Sequence, residues 1–286
     1  MELTTLRIGG VPEHFNLPIH LAIESGAFSE KNIEIIWKDF PGGTGSMTQA
    51  LRNDETDICI LLTEGIITDI INGNASKIIS GYVKSPLTWG IHTYVTNDEQ
   101  LSETLFKEQI AISRKGSGSH LMPIVDALIQ GKSIQDDQFV IIKDINGALD
   151  SLKKQETSVF YWEKYTTKPF VKNGHLKRIG EFISPWPCFM IAATDRIIQD
   201  QPEAIDTMLR VIHDSCEKFM TNPDAPKLVS ERYNLDYRDA EYWYHGTEWT
   251  TDSWVSDKML TNVVFALREA KIIPDNANTL DLVWKR

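Results

Sequence analysis

Short β-branched, apolar runs alternate with helically spaced stretches along much of the chain, and that alternation limits the fold more than any other feature. "TLRI" (5–8), "IEIIW" (33–37), "DICILL" (57–62) and "KIISGY" (77–82) read as strands. "NLPIHLAIESGAF" (16–28), "GSMTQALRND" (45–54) and "GIITDIING" (65–73) read as the helices between them. In the first helix Asn16 is the expected cap, Pro18 falls in the first turn and Gly26 ends the run. Apolar strands alternating with helices imply an α/β fold with a mostly parallel sheet covered on both faces.

The rhythm restarts at "QIAIS" (109–113) and continues through "FVIIK" (139–143) and "SVFYW" (158–162), with "GALDSLKKQ" (147–155) helical between the last two. A second α/β unit of comparable build follows from that restart. After "ISPWPCFMIAAT" (183–194) the pattern turns helical to the end. Ile205, Met208, Leu209, Ile212 and Phe219 share one face of a helix opened by Pro202, and Met259, Leu260, Val263, Val264 and Leu267 line another from about Ser256. "YWYHGTEWTTDSW" (242–254) reads as helix packing by Trp243, Trp249 and Trp254 around a satisfied His245. Two α/β lobes leave a cleft between them, and open α/β sheets take ligands beyond the carboxyl ends of their strands.

Composition removes several function classes. The 286 residues hold 29 Lys and Arg against 40 Asp and Glu, and no basic run is long enough to track a phosphate backbone, so nucleic acid is not an expected partner. No apolar run approaches the ~20 residues that span a bilayer, so membrane insertion is not expected either. Cys59, Cys188 and Cys216 are widely separated and form no CxxC pair, which supports neither a zinc site nor a disulfide framework and suits a reducing compartment. "MELTTLRIGG" enters a strand without a leader-like pattern. A natural start at Met1 then implies a cytoplasmic protein, and a removed signal peptide implies a periplasmic or lipid-anchored one. There is no GxSxG, HExxH or strand-following GxGxxG, and the histidines lack metal-ligand spacing. No catalytic residue, metal or cofactor is assigned.

The informative residues are those just after each strand. In "SRKGSGSHLMP" (113–123) Pro123 lacks an amide hydrogen and is cheapest in a helix's first turn, which places the helix start near Ser119 or His120. Ser117, Gly118, Ser119 and His120 then ring the positive end of a helix, a place for a carboxylate, sulfonate or phosphate. An ordinary solvated turn fits the same residues. "FPGGTGSM" (40–47) repeats the arrangement with Gly43, Thr44 and Ser46, the last as a cap, and is no Walker loop because no Lys-Ser/Thr follows the glycines. His14 and Phe15 offer a hydrogen-bonding ring and a stacking face, or a turn packed onto the sheet. Trp89, Trp162 and Trp186 lie near strand ends and serve either a ligand box or a core. Glu64 and Glu163 follow strands, where a carboxylate accepts from a ligand amine or is simply solvated or capping.

In sequence order, "GGVPEHFNLPIHLAIESGAF", "PGGTGSMTQALRNDETDICILLTEG", "SPLTWGIH", "RKGSGSHLM", "FYWEKYTTKPFV" and "SPWPCFMIAAT" resemble a type II periplasmic binding protein across essentially the whole chain. Within that superfamily the chain is similar to nitrate, sulfonate and taurine binders and to fungal thiamine-pyrimidine synthases, and looks closest to a signal-less cytosolic fungal branch. The resemblance implies two lobes joined by two crossing strands, at 85–95 and 183–193, with a ligand cleft that closes about this hinge. Lobe I then comprises 1–90 plus 188–286, and lobe II comprises 91–187. The synthases use a lysine carrying pyridoxal phosphate and a nearby consumed histidine just after the strand matching "DICILL", yet positions 57–76 here hold neither Lys nor His. Their cysteine-rich iron-linked motif is replaced by "WPCFM" with Cys188 alone. The expectation is a non-enzymatic binder of a small anionic or heteroaromatic metabolite. The rivals are a pyrimidine-forming enzyme and a ligand sensor acting through a protein partner of unspecified kind.

Overall fold

The first apolar run folds as β1 (Thr4–Gly10), whose Leu6 and Ile8 are fully buried while Arg7 between them reaches the surface. The structure is a computed structural model that describes residues 3–96 and 101–285, apart from the side chain of Ser102. Met1 and Glu2, on which the leader argument rests, lie outside the described residues. A 3-10 turn (His14–Asn16) leads into α1 (Leu17–Glu24), followed by β2 (Ile33–Asp39), α2 (Thr44–Arg52), β3 (Ile58–Leu62), α3 (Thr63–Ile71) and β4 (Ser76–Val83). Asn16 occupies the expected cap position but its amide donates instead to Val11 O at 2.8 Å, bracing the turn before the helix. The chain continues through β5 (Thr88–Tyr94), α4 (Leu101–Thr104), β6 (Ile110–Ile112), α5 (Gly118–Ile129), β7 (Phe139–Ile141), α6 (Ile145–Lys153), β8 (Val159–Glu163), α7 (Lys168–Lys172) and β9 (Leu176–Ile183). It ends with β10 (Phe189–Thr194), α8 (Asp195–Asp200), α9 (Pro202–Met220), α10 (Ala225–Tyr233), α11 (Tyr237–His245) and α12 (Asp257–Glu269).

Two compact units result: Met1–Ser85 with Trp186–Thr261 and Asn278–Arg286, and Pro86–Pro185 with Asn262–Ala277. Each unit is built on a five-stranded sheet, in the orders β2-β1-β3-β10-β4 and β7-β6-β8-β5-β9. In the first sheet β1 runs parallel to β2 and β3, while β10 runs antiparallel to both β3 and β4. In the second, β6 is parallel to β7 and β8, and β5 is antiparallel to β8 and β9. Each sheet therefore has four strands in one direction and one reversed strand next to the edge, so the expected parallel character is kept around a single inversion.

Two parts of the sequence reading are corrected. "LKRIGEFI" was not expected as a strand, yet it forms β9; it pairs only with β5 at the sheet edge, and its half-exposed polar residues hide the period-two signal. The helical pattern also stops at Glu269 rather than running to the end. The tail instead lies along β4, with Ile78 N donating to Leu282 O at 2.8 Å and Trp284 N to Ile78 O at 2.9 Å. Thr250 N donates to Tyr82 O at 2.8 Å farther along the same strand. Both contacts cover an edge that would otherwise offer unpaired backbone groups.

The second unit's core gathers Ala111, Ala148, Leu152, Phe160 and Leu176 between its sheet and α6. In the first unit Asp57, just before β3, is buried and tied to Arg7 at 2.7 Å and to Arg196 at 2.6 Å. Burial alone would raise its pKa, but the hydrogen bonds from Arg7 and Arg196 outweigh it and hold the carboxyl below the ordinary range. Its stabilising effect is then present above the unfolded carboxylate pKa and lost as pH falls through the lowered folded value. Asp57→Asn is expected to cost about 2–3 kcal/mol near neutral pH, because two guanidinium groups lose a buried partner. Urea denaturation from pH 7 to pH 3 checks this: the gap between the two proteins should narrow as pH falls.

Candidate ligand-binding site

Within the first unit, the ends of β1 and β3 and the starts of α2 and α3 meet. Gly43 precedes α2 with φ of 70° and ψ of −162°, a conformation that disfavours any side chain, and the helix begins at Thr44. Ser46 is therefore not the cap; it lies a turn inside, with its amide bonded to Gly43 O at 3.0 Å. The Thr44 hydroxyl accepts from Leu62 N at 3.1 Å and so holds the end of β3. Gly65 lets this approach happen, since a Cβ there would fall 2.4 Å from Thr44 Cγ2.

The start of α3 is clamped by residues preceding β10. Thr63 N donates to Cys188 O at 3.0 Å, and the Thr63 hydroxyl donates to Pro187 O at 2.6 Å. The same segment brings Trp186, whose indole N–H donates to Glu64 Oε2 at 2.8 Å. Glu64 is buried in the first turn of α3, and its second oxygen, Oε1, has no hydrogen-bond partner. Burial pushes the carboxyl up to about 7, with the indole and the residue's own amide opposing that rise. Gly43, Thr44, Glu64 and Trp186 are thus brought to one place in the fold.

His14 and Phe15 are buried, their rings stacked at 4.9 Å between centroids with 25° between planes. Trp243 meets His14 edge-on at 4.3 Å, and Phe189 lies 5.0 Å from Phe15. Phe15 O accepts from Tyr82 OH at 2.8 Å and Trp249 Nε1 at 3.0 Å. Burial lowers the His14 imidazole to about 3, so the ring is neutral. Of the tryptophans read as helix packing, Trp243 packs from α11, but Trp249 sits in an extended segment beside Val83. Trp254 is 72% exposed and His245 is exposed, so neither takes part in the expected helix packing.

Within the second unit, α5 starts at Gly118 with Ser117 as its N-cap, ahead of the expected start near Ser119 or His120. Pro123 consequently sits in the second turn, inside the helix. Its ring removes one backbone bond there, in a helix whose other apolar residues bury enough surface to tolerate the loss. Ser119 Oγ accepts from Ser113 N at 2.9 Å and lies 3.0 Å from Ser117 Oγ and 3.3 Å from Ser113 Oγ. Ser117 Oγ in turn donates to Arg114 O at 2.7 Å. His120 Nδ1 accepts from Gly116 N at 3.1 Å, which places the ring proton on Nε2. Burial, aided by the Lys115 charge, pulls its pKa down to about 4.

Trp89 is buried opposite Glu163 in the β5–β8 ladder, and its indole N–H has no partner among the described residues. Trp162 stacks on Phe160 at 5.3 Å and packs on the Ala111–Leu152 core. Strand alternation puts it on the face opposite Tyr161, which binds Asp126 of α5 at 2.7 Å, so Trp162 is not brought to the α5 side. Glu163 is not open to a ligand amine: its oxygens accept from Tyr165 N at 3.0 Å, Thr166 N at 2.6 Å and Thr166 Oγ1 at 2.8 Å. The Ser113 hydroxyl, which the sequence reading left out of the site, completes the serine cluster; its place at the end of β6 was the available signal.

Residues 89–182 match the family model of Ca3427-like PBP. Over 96% of this chain and 92% of the other, the structure is similar to the Candida albicans CA3427 gene product, described as defining a new family with the generic periplasmic binding protein fold, at TM-score 0.90 and 26% identity. It is also similar to the alkanesulfonate-binding protein SsuA of Xanthomonas axonopodis pv. citri bound to MOPS, at TM-score 0.81 and 13% identity over 99% of both chains. The nitrate-binding protein NrtA of Synechocystis superposes at TM-score 0.70 and 14% identity, covering 96% of this chain and 84% of that one. No curated protein sequence matches the chain. The chain has the periplasmic binding protein fold, and no helix among the described residues is long and apolar enough to cross a membrane.

The Glu64 environment yields a direct expectation. The folded protein holds this proton more tightly than the unfolded chain, so the group's contribution is complete below about 4.5 and lost as pH rises through about 7. Glu64→Gln cannot ionise, and its stability relative to wild type should rise by roughly 3 kcal/mol between pH 4 and pH 8. Parallel pH profiles of denaturant midpoints for the two proteins would contradict the assignment.

Proposed function

We propose that the chain is a non-enzymatic receptor for a small anionic metabolite, with Ser117, Gly118, Ser119 and His120 holding the anionic end. The observation that carries this reading is the buried cluster of Ser113, Ser117 and Ser119 around the first turn of a twelve-residue helix. The leading amides of a helix have no intrahelical partner, and they point along the positive end of its dipole. His120 adds a neutral Nε2–H donor, and Trp89 adds a buried indole N–H. In the other unit Gly43 and Thr44 form a second helix start, with the buried Trp186 indole beside it. That structural neighbours bind alkanesulfonate and nitrate supports an anion as the ligand class.

Binding rather than catalysis is supported by the segment 57–76, which offers neither an amine for a Schiff base nor a sacrificial histidine. Among the described residues the three buried cysteines form no disulfide, which suits a reducing compartment. Isothermal titration with propane-1-sulfonate, nitrate and a phosphate monoester tests the reading. Ser119→Asp keeps an acceptor for Ser113 N but adds negative charge, and it should weaken the best of these ligands at least about tenfold. Unchanged affinity in that variant removes the anion role. Pyridoxal phosphate added to wild type should give no Schiff-base absorbance; its appearance would favour the enzymatic reading.

A further inference from the structure

The first sheet has two edges, and the chain treats them differently. Along β4 the tail and the Trp249–Thr250 segment cover the outer side. At the other edge lies β2, which pairs only with β1 over Ile33–Asp39. Thr4 N donates to Asn32 O at 3.0 Å and Phe40 N to Gly10 O at 2.8 Å, so the even-numbered residues turn their backbone groups toward β1. The N–H and C=O groups of Ile33, Ile35, Trp37 and Asp39 therefore point away from the sheet. Ile33 N is taken by Phe28 O at 3.1 Å, but among the described residues no hydrogen bond reaches the outward backbone groups of the other three.

The side chains along this open edge are complementary to themselves. Glu34, Ile36 and Lys38 share the exposed face, with Ile36 50% exposed, while the half-buried Ile35 and Trp37 share the other. When two such strands pair antiparallel, their outward-bonding residues must face one another. A two-fold axis at Ile36 meets that condition and sets Ile35 opposite the partner's Trp37. The same axis sets Glu34 opposite the partner's Lys38 at both ends of the contact, with Ile36 opposite itself between them. Opposite charges and aromatic–β-branched pairs are favourable at facing positions of a sheet. An axis at Ile35 or Trp37 also satisfies the backbone, but it puts Glu34 or Lys38 opposite an isoleucine. Charges on an edge ordinarily discourage pairing; here their signs and spacing penalise the shifted registers and favour one. Their present contacts, Lys38 with Glu55 at 3.2 Å and Glu34 with the Thr5 hydroxyl at 2.9 Å, are exposed and of small worth.

We propose that β2 is an interface between two copies of this chain, paired antiparallel about Ile36 so that their two five-stranded sheets become continuous. Backbone bonds between the edges supply affinity, and the Glu34–Lys38 and Ile35–Trp37 pairs supply register. The contact uses the same surface on both copies and closes at the dimer, because each β2 has one open side. It lies wholly within the first unit and is independent of the receptor reading.

Sedimentation equilibrium of the full chain tests this with Glu34→Lys, Lys38→Glu and the double exchange Glu34→Lys/Lys38→Glu. Wild type should be largely dimeric at about 0.1 mM. Each single exchange sets like charges opposite each other at both ends of the contact and should weaken the dimer at least about tenfold. The double exchange restores opposite pairs and should return to within about threefold of wild type. An equimolar mixture of the two single variants should form heterodimers, since every facing charge pair is then of opposite sign, and that recovery shows that neither variant has lost its fold. A monomeric wild type overturns the proposal. So does a dimer that the charge exchanges leave unchanged, or one that both single variants weaken and neither the double variant nor the mixture recovers.

Discussion

The reversed strand β10 is the element on which the first unit depends. It is hydrogen-bonded on both sides, from Phe189 opposite Leu62 to Thr194 opposite Ser76, and without it β3 and β4 have no shared neighbour. Its path also decides the chemistry at the adjoining end of the sheet. The residues just before it, Trp186 to Cys188, arrive at the start of α3 and tie down its first turn through backbone and side-chain bonds. A strand that closes the sheet thereby places an indole against a buried carboxyl. Packing and site geometry have one cause here.

The second unit uses the same plan with different polar chemistry. β5 is its reversed strand, and it sets Trp89 against Glu163 at the end of the ladder. The start of α5 is braced by hydroxyls that bond mainly to one another and to the preceding loop. By contrast, α6 and α8 begin with side chains, Asp144 and Thr194, that accept directly from helix amides. Neither α5 nor α2 has such a side-chain cap. In both, the third helical amide turns back to the cap carbonyl instead, His120 N to Ser117 O and Ser46 N to Gly43 O, each at 3.0 Å.

Much of the strand and helix pattern was legible because it is encoded within a few residues. Val159 to Tyr161 read as a buried strand from their side chains alone, and the apolar face of Ile205, Met208, Leu209 and Ile212 appears at helical spacing. The edge strand β9 was not legible, since polar residues on its open side break the alternation. The Ser46 cap and the register of Pro123 failed for a related reason: cap geometry depends on backbone angles such as those at Gly43, which composition does not report.

By itself, the sequence determined the α/β alternation, the restart into a second unit and the small, hydroxyl-rich turns that open α2 and α5. These follow from short-range periodicity and from the conformational limits of Gly and Pro. Only the tertiary structure decided which polar atoms are already satisfied. Glu64 and Glu163 look alike in sequence, each at the end of an apolar strand, yet one is saturated by its own turn and the other meets an indole 122 residues away. Hydrogen-bond satisfaction is a property of neighbours in space, and those neighbours are chosen by strand order, which no local pattern carries.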